Sequence, residues 1–282
     1  MSNIFIGTSG WTYKDWQGLF YPKDLSQRKW LEYYGRHFKT VEVNSTFYRQ
    51  MKPETFKNWA ETVPQDFVFA VKVSRFITHI KRLKDCREPA KVMIESFSGL
   101  GQKLGPVLFQ LPPKFRADWE RLEDFLVHCS QLIVHSKRKS MNREPRTVNR
   151  IAFEFRDQSW FDESIYKILR KYNAALVIAE SGSFWPSSAE ASEGKPSEEV
   201  ITADFVYIRF HGEGGSYASK YTDKELKSWA NRIRKWRKRG LDVYAYFNND
   251  VAGFAIENAK TLISLIYQQV ALSQSFDFAQ DS

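Results

Sequence analysis

Eight short apolar runs, almost all followed by a stretch of helical periodicity, constrain this chain more than any other feature. They occupy residues 3–7, 40–44, 67–73, 107–111, 151–155, 175–179, 205–210 and 242–247. Most are rich in Val, Ile and Phe and nearly continuous in hydrophobicity, as strands covered on both faces of a parallel sheet must be. The intervening segments 26–36, 53–63, 87–103, 118–135, 161–172, 222–239 and 253–268 read as helices. Pro53 stands where a helix tolerates proline, at its start. Thr222 and Glu225 have capping-box spacing, and Leu226, Trp229, Ile233 and Trp236 form one stripe behind them. Gly240 follows, where a left-handed cap is wanted.

Strand–helix alternation repeated this often is solved by a doubly wound open sheet or by a closed barrel. Strand starts recur roughly every 25–45 residues, as the units of a barrel require. No G-x-G-x-x-G follows any strand, which removes the dinucleotide-fold signature. The sequence therefore predicts a single (β/α)8 TIM-type barrel with parallel strands over residues 1–272, followed by a disordered polar tail, 273–282. The unit after strand six is irregular: residues 181–201 are rich in Ser, Gly, Pro and Glu and carry no helical stripe. They are expected to form a long loop on the ligand face or an insertion.

Composition narrows the partners. The chain of 282 residues has 42 Lys+Arg against 33 Asp+Glu, a net charge of +9, and 16% aromatic residues. Such a balance is compatible with plain solubility or with attraction to phosphate polymers. Only Cys86 and Cys129 are present. Neither belongs to a C-x-x-C pair, which argues for a reduced compartment and against a disulfide framework or a thiolate zinc site. Residues 1–7 show no signal-peptide pattern, and no apolar run approaches the ~20 residues of a membrane span. A cytoplasmic location is expected.

Side-chain parity locates the candidate chemistry, because residues two apart on a strand share a face. Glu42 and Asn44, Lys72 and Ser74, Glu154 and Arg156, Arg209 and His211, and Tyr244, Tyr246, Asn248 and Asp250 each share one, and Gln110 ends strand four. These groups fall at C-terminal strand ends, the ligand face of such a barrel. Turned outward, Glu42, Lys72, Glu154 and Arg209 would meet the apolar helix layer at high cost, so they are read as pointing inward. The bland reading of the same residues is a structural charge network filling the barrel mouth.

The residues also carry a family resemblance. Gly7-Thr8-Ser9-Gly10-Trp11 with Tyr13 and Trp16, Val41-Glu42-Val43-Asn44 through Tyr48, Phe69-Ala70-Val71-Lys72 with Thr78 and His79, and Leu108-Phe109-Gln110-Leu111-Pro112-Pro113 form an ordered set. Phe153-Glu154-Phe155-Arg156 with Ser159 and Trp160, Tyr207 to Gly212, and Tyr244 to Asp250 complete it. Together, from Ile4 to about Leu265, they resemble the YecE-like family, also called domain of unknown function 72. The resemblance implies a TIM barrel and carries no activity with it. The 181–201 stretch departs from the family pattern.

The favoured expectation is an enzyme acting on a polar or anionic, carbohydrate-containing small molecule. Glu42, Lys72, Glu154, His211 and Asp250 are the candidate catalytic groups, with paired carboxylates for acid–base work. Hydrolysis, elimination and isomerisation are all open to such a set. Trp11, Tyr13, Asn44, Tyr48, His79, Gln110, Arg156, Trp160, Arg209 and Asn248 are the candidate binding residues, the aromatic ones by stacking on a ring or as loop anchors. Lys72 invites a Schiff-base reading, but Glu42 and Glu154 nearby favour an ion pair. No cofactor is called for; the alternative is a divalent metal held by His79 and His211 with Glu42, Glu154 or Asp250. A nucleic-acid-binding protein or phosphodiester hydrolase is the second reading. It is weakened because Lys137 to Lys139, Arg143, Arg146 and Arg150, and the basic run 232–239, precede strands and so lie at the opposite end. Only Lys81, Arg82, Lys84 and Arg87 flank the ligand face. A non-catalytic ligand-binding scaffold is the third. Oligomeric state is left open.

Overall fold

The computed structural model describes residues 2–139, 150–180, 200–212 and 219–277, excepting the side chains of 130–139 and 269–277. Among them are nine strands: β1 Ile4–Thr8, β2 Thr40–Val43, β3 Val68–Lys72, β4 Leu104–Gln110, β5 Ile151–Glu154, β6 Ala174–Leu176, β7 Ile178–Glu180, β8 Phe205–Phe210 and β9 Asp242–Phe247. The helices are α1 Trp30–Gly35, α2 Ser45–Tyr48, α3 Pro53–Thr62, α4 Arg87–Phe97, α5 Trp119–Lys139, α6 Glu163–Lys171, α7 Asp223–Lys238 and α8 Phe254–Asp277. A π-turn at Phe76–Ile80 follows β3, where the sequence shows no helical stripe.

All strand pairings among the described residues are parallel, as the unbroken hydrophobicity of the runs predicts. The hydrogen-bond ladders, however, define two sheets rather than one ring: β1-β9-β8-β7 and β2-β3-β4-β5-β6. The sixth expected strand is the reason at one seam. It is divided at Val177, so that β6 pairs with β5 and β7 with β8. Beside it, the Thr202 hydroxyl accepts from the amide of Leu176 at 2.8 Å and donates to the carbonyl of Ala174 at 2.7 Å. One side chain thus satisfies backbone groups that a neighbouring strand would otherwise pair. At the other seam, the Tyr34 hydroxyl accepts from the amide of Thr8 at 3.0 Å and donates to the carbonyl of Thr40 at 3.1 Å. It bridges β1 and β2 where no ladder between them is described. Gly7 belongs to this contact, because a Cβ there would stand 2.2 Å from the Thr40 oxygen.

Two apolar layers follow from strand parity. The outward side chains Val41, Val43, Phe69, Val71, Phe153, Ile208 and Phe247 pack with the helices. The inward ones, Val68, Ala70, Leu108, Ala152, Ala175, Val177, Ala179, Phe205, Tyr207, Tyr244 and Tyr246, form a second cluster drawn from both sheets. Four alanines on the inner faces leave room for the large rings from β8 and β9. The stripe of α7 (Leu226, Trp229, Ile233, Trp236) is buried as its spacing predicts. Thr222 and Glu225 complete the capping box, and Gly240 takes φ 83° just beyond the helix.

Three expectations meet limits here. Residues 181–199 of the irregular unit lie outside the described residues, as do Arg143 and Arg146. Helix α8 continues to Asp277, so residues 273–277 of the expected tail extend a helix, and 278–282 lie outside. Cys86 and Cys129 are both buried free thiols. No helix among the described residues is long and apolar enough to cross a membrane.

Candidate active site at the strand ends

Arg209, on β8, organises the site. It is buried, and its guanidinium binds Glu42 of β2 through two nitrogens, Nε at 3.0 Å and Nη2 at 2.8 Å. Its third nitrogen, Nη1, donates to Glu154 of β5 at 2.6 Å. One planar fork thus spans carboxylates from two strands of the other sheet, a geometry suited to Arg and not to Lys.

Each carboxylate has further donors. Glu42 accepts from the Ser9 hydroxyl at 2.9 Å and from the Tyr207 hydroxyl at 2.7 Å. Glu154 accepts from Arg156 Nε at 2.5 Å, and Arg156 also forms an ion pair with it through Nη2. His211 Nε2 stands 3.5 Å from the same oxygen. The ring also meets two donors, the Asn248 amide nitrogen 3.2 Å from Nδ1 and Arg156 Nη2 3.3 Å from Nε2, of which a neutral imidazole accepts only one.

These contacts decide the protonation states. Burial alone would raise Glu42, but the charge and hydrogen bonds of Arg209, with the Tyr207 hydroxyl, hold it below the usual carboxylate range. Glu154 is likewise resisted by burial, yet is held well below that range by Arg209, Arg156 and His211. Burial pushes His211 down, against the pull of Glu154, so it is neutral near pH 7. With both carboxylates ionised at neutral pH, neither has a proton to give, and the four acceptor positions of Glu42 are all filled.

The groups that titrate near neutrality are others. Lys72, half-buried at the end of β3, is pushed down to about 8 by burial and by the Arg209 charge, with Glu154 and Glu42 pulling the other way. Its ammonium makes no hydrogen bond or ion pair among the described residues; it lies 4.3 Å from the centre of the Phe47 ring. The expected ion pair of Lys72 with Glu42 or Glu154 is therefore not formed, because Arg209 and Arg156 already occupy those oxygens. Asp250 is raised to about 7, first by burial and then by Glu42, against the neighbouring Tyr13 hydroxyl. That hydroxyl has one proton and donates it to the Ser9 carbonyl at 2.6 Å. Oδ1 of Asp250 is buried without a hydrogen-bond partner, and so is Oδ1 of Asn44, whose amide nitrogen donates to the same Ser9 carbonyl at 3.1 Å.

The remaining expected residues divide. Gln110 ends β4 half-buried, in register with Glu154. His79 packs edge-on to Phe47 at 5.0 Å, its Nδ1 2.9 Å from the Thr78 hydroxyl; burial and then Lys72 and Arg75 lower its pKa. Tyr48 is 76% exposed and turned against the edge of Phe47. Trp11 and Trp160 are not brought to the charged centre. Trp11 is buried edge-on to Trp59, and Trp160 is stacked 4.6 Å from Phe155 with its indole donating to the Phe115 carbonyl at 2.6 Å. Neither has a free ring face for a sugar, which suits the loop-anchor reading of these aromatics. Ser9, Phe47 and Tyr207 escaped the sequence reading. Tyr207 was accessible by parity, two residues before Arg209, whereas Ser9 and Phe47 lie just past strand ends where parity lapses.

Arg150, read from its position as part of a basic cluster at the opposite end, is held there by Asp242 and the Tyr244 hydroxyl, each at 2.7 Å. No group of three His, Cys, Asp or Glu able to hold a metal ion occurs among the described residues. A cavity of about 380 Å³ lies beside the site between α2, the Phe76–Ile80 turn and α4; it is mostly apolar, and none of the ion-cluster residues lines it.

Fold and site together define an α/β protein of parallel strands that gathers a buried, charge-paired centre at its C-terminal strand ends. The chain belongs to the DUF72 family: the model of that protein family of unknown function matches residues 5–278. It is 28% identical to the UPF0759 protein YunF of Bacillus subtilis, over 93% of this chain and 94% of that one. It is 33% identical to the UPF0759 protein YecE of Escherichia coli, over 88% of each. The crystal structure of a DUF72 family protein from Thermotoga maritima superposes with a TM-score of 0.75 at 27% identity, covering 94% of this chain and 99% of that one. One from Enterococcus faecalis, 20% identical, shares the fold with a TM-score of 0.71 over 94% and 95% of the two chains.

Proposed function

We propose that the chain is an enzyme for a small, anionic, polyhydroxylated molecule bound at the C-terminal strand ends. The observation that carries this reading is the imbalance of the centre. Glu42 and Glu154 supply two negative charges, while Arg209, Arg156 and Lys72 supply three positive ones around them. Toward Tyr13 the site instead offers Oδ1 of Asn44 and Oδ1 of Asp250, buried acceptors without donors. A ligand with a phosphate or carboxylate for the cations and hydroxyls for the acceptors satisfies both sides. Acid–base work then falls to Lys72 and Asp250, whose pKa values near 8 and 7 suit proton transfer at working pH. Glu42 and Glu154 act as fixed charges that position Arg209 and Arg156.

We also read the two sheets as arcs of one (β/α)8 barrel. Support comes from Arg209, which reaches Glu42 and Glu154 across the sheets, and from the inner cluster drawn from both. A deep, closed centre of this kind suits a small molecule better than a polymer. The basic stretch Arg75, Lys81, Arg82, Lys84 and Arg87 beyond β3 is what a nucleic-acid reading would use.

Isothermal titration with ribose 5-phosphate, ribose and inorganic phosphate tests the reading. The sugar phosphate is expected to bind more tightly than either fragment, and Arg156→Ala to weaken it by about tenfold or more through loss of a charge-assisted contact. Equal binding of ribose and ribose 5-phosphate, or indifference to Arg156→Ala, would refute it.

A further inference from the structure

Lys72 is placed as a nucleophile rather than as a counter-ion. It ends β3 on the inward face, and among the described residues no carboxylate lies within ion-pair distance of its nitrogen, although Glu42 and Glu154 belong to the same centre. Arg209 takes oxygens of both, and Arg156 takes the rest of Glu154. Two guanidiniums therefore share the centre with a third cation that has no salt bridge among the described residues, and the Phe47 ring lies against it, its centre 4.3 Å away. A ring face compensates a charge weakly compared with an ion pair. An ammonium so placed sheds its proton more readily than a surface lysine, and a neutral amine is what attacks a carbonyl.

A candidate proton carrier packs against the same ring. His79 meets Phe47 edge-on at 5.0 Å, and its Nδ1 is engaged with the Thr78 hydroxyl at 2.9 Å. Nε2 remains to relay a proton. Burial, and then the charges of Lys72 and Arg75, keep the imidazole neutral, so this nitrogen can accept one.

We propose that Lys72 forms an imine with the aldehyde or ketone group of an anionic substrate. The inference rests on the small anionic ligand proposed above and adds that the ligand carries a carbonyl. The amine nitrogen attacks the carbonyl carbon and a C–N bond forms. The carbonyl oxygen takes up a proton, the nitrogen loses one, and His79 carries it between them. The C–O bond then breaks and the oxygen leaves as water with a second proton. Overall, an ammonium and a carbonyl give a protonated imine and one water, with no oxidation and no co-reactant. The imine nitrogen is then positioned to draw electrons from an adjacent C–H or C–C bond, while Arg156 faces the anionic group.

The test traps the imine on the whole chain. Protein is incubated with D-glyceraldehyde 3-phosphate and cyanoborohydride at pH 8, and peptide mass spectrometry locates the reduced adduct. At that pH about half of a lysine with pKa 8 is neutral, against under about 1% of an ordinary one. Labelling at Lys72 is therefore expected to exceed that at any other lysine by on the order of tenfold. Glycerol 3-phosphate, which has the anion but no carbonyl, should suppress it by competition, and Lys72→Met should remove it. Because the site is mapped on the unmodified sequence, the result does not depend on how that variant folds. Adducts spread evenly over surface lysines would overturn the proposal. If glycerol 3-phosphate raises the melting temperature while Lys72 stays unlabelled, the imine is refuted and the anion site stands. If it neither binds nor protects, both readings fall.

Discussion

Replacing Arg209 with Met removes the one group that joins Glu42 and Glu154 and leaves the carboxylates buried. Three hydrogen bonds are lost, at 3.0 and 2.8 Å to Glu42 and 2.6 Å to Glu154. Breaking a buried pair from one side costs about 3–5 kcal/mol, because the remaining charge has neither water nor partner. Glu154 keeps Arg156, so Glu42, left with the Ser9 and Tyr207 hydroxyls, carries most of the penalty. Protonation sets a ceiling: neutralising a Glu of ordinary pKa costs about 4 kcal/mol at pH 7 and about 1 kcal/mol at pH 5. In the native chain Glu42 and Glu154 have lowered pKa values, so their contribution is complete above the unfolded pKa of about 4.3. It is lost only as pH falls through the lower folded values. In Arg209→Met the Glu42 pKa is raised, and the variant's stability is lost as pH rises above about 4.3. Urea unfolding of both proteins should therefore show a gap of about 3–5 kcal/mol at pH 7 that narrows by up to about 3 kcal/mol at pH 5. The variant should still fold at pH 7, since domains of this kind have about 5–15 kcal/mol in hand. A gap below about 1 kcal/mol, or one unchanged at pH 5, would refute the account of Arg209 as the hub of the site.

Asp250 provides the opposite case. Its pKa, raised to about 7, means that burial favours the neutral acid; this stability is present below about 3.9 and lost as pH rises through 7. Asp250→Asn should therefore unfold at higher urea than the native chain at pH 8, by on the order of 2–4 kcal/mol, with the difference vanishing near pH 4. Trp160→Ala should cost about 3–5 kcal/mol through loss of the Phe155 stack and the Phe115 hydrogen bond. Calorimetry and titration read the two effects apart, and sugar-phosphate affinity of the folded variant should be unchanged. Thr222→Ala should lower stability by about 1 kcal/mol through loss of the capping box, seen as a lower melting temperature with ligand binding intact.

Much of the centre is legible in the sequence, because its signals are local. Alternation along a strand is enforced by the backbone, so Glu42, Lys72, Glu154 and Arg209 could be turned inward from their apolar neighbours alone. Spacing likewise placed α3 and the capped helix α7. Three things needed the tertiary structure. Strand six is divided at Val177 because the Thr202 hydroxyl, 26 residues from Leu176, replaces a strand partner. Trp160 and Trp11 look like stacking platforms in a linear chain, yet their burial depends on Phe155 and Trp59 packing over their rings. Above all, the sequence places Lys72 beside two carboxylates, but distance decides which cation neutralises them. Arg209 does so across 167 positions of chain to Glu42, and Lys72 is left without an ion pair among the described residues. Parity is a property of neighbouring residues, whereas charge pairing and desolvation are set by three-dimensional separation. The inward-facing polar set could therefore be read from the chain, and the identity of its titrating members only from the fold.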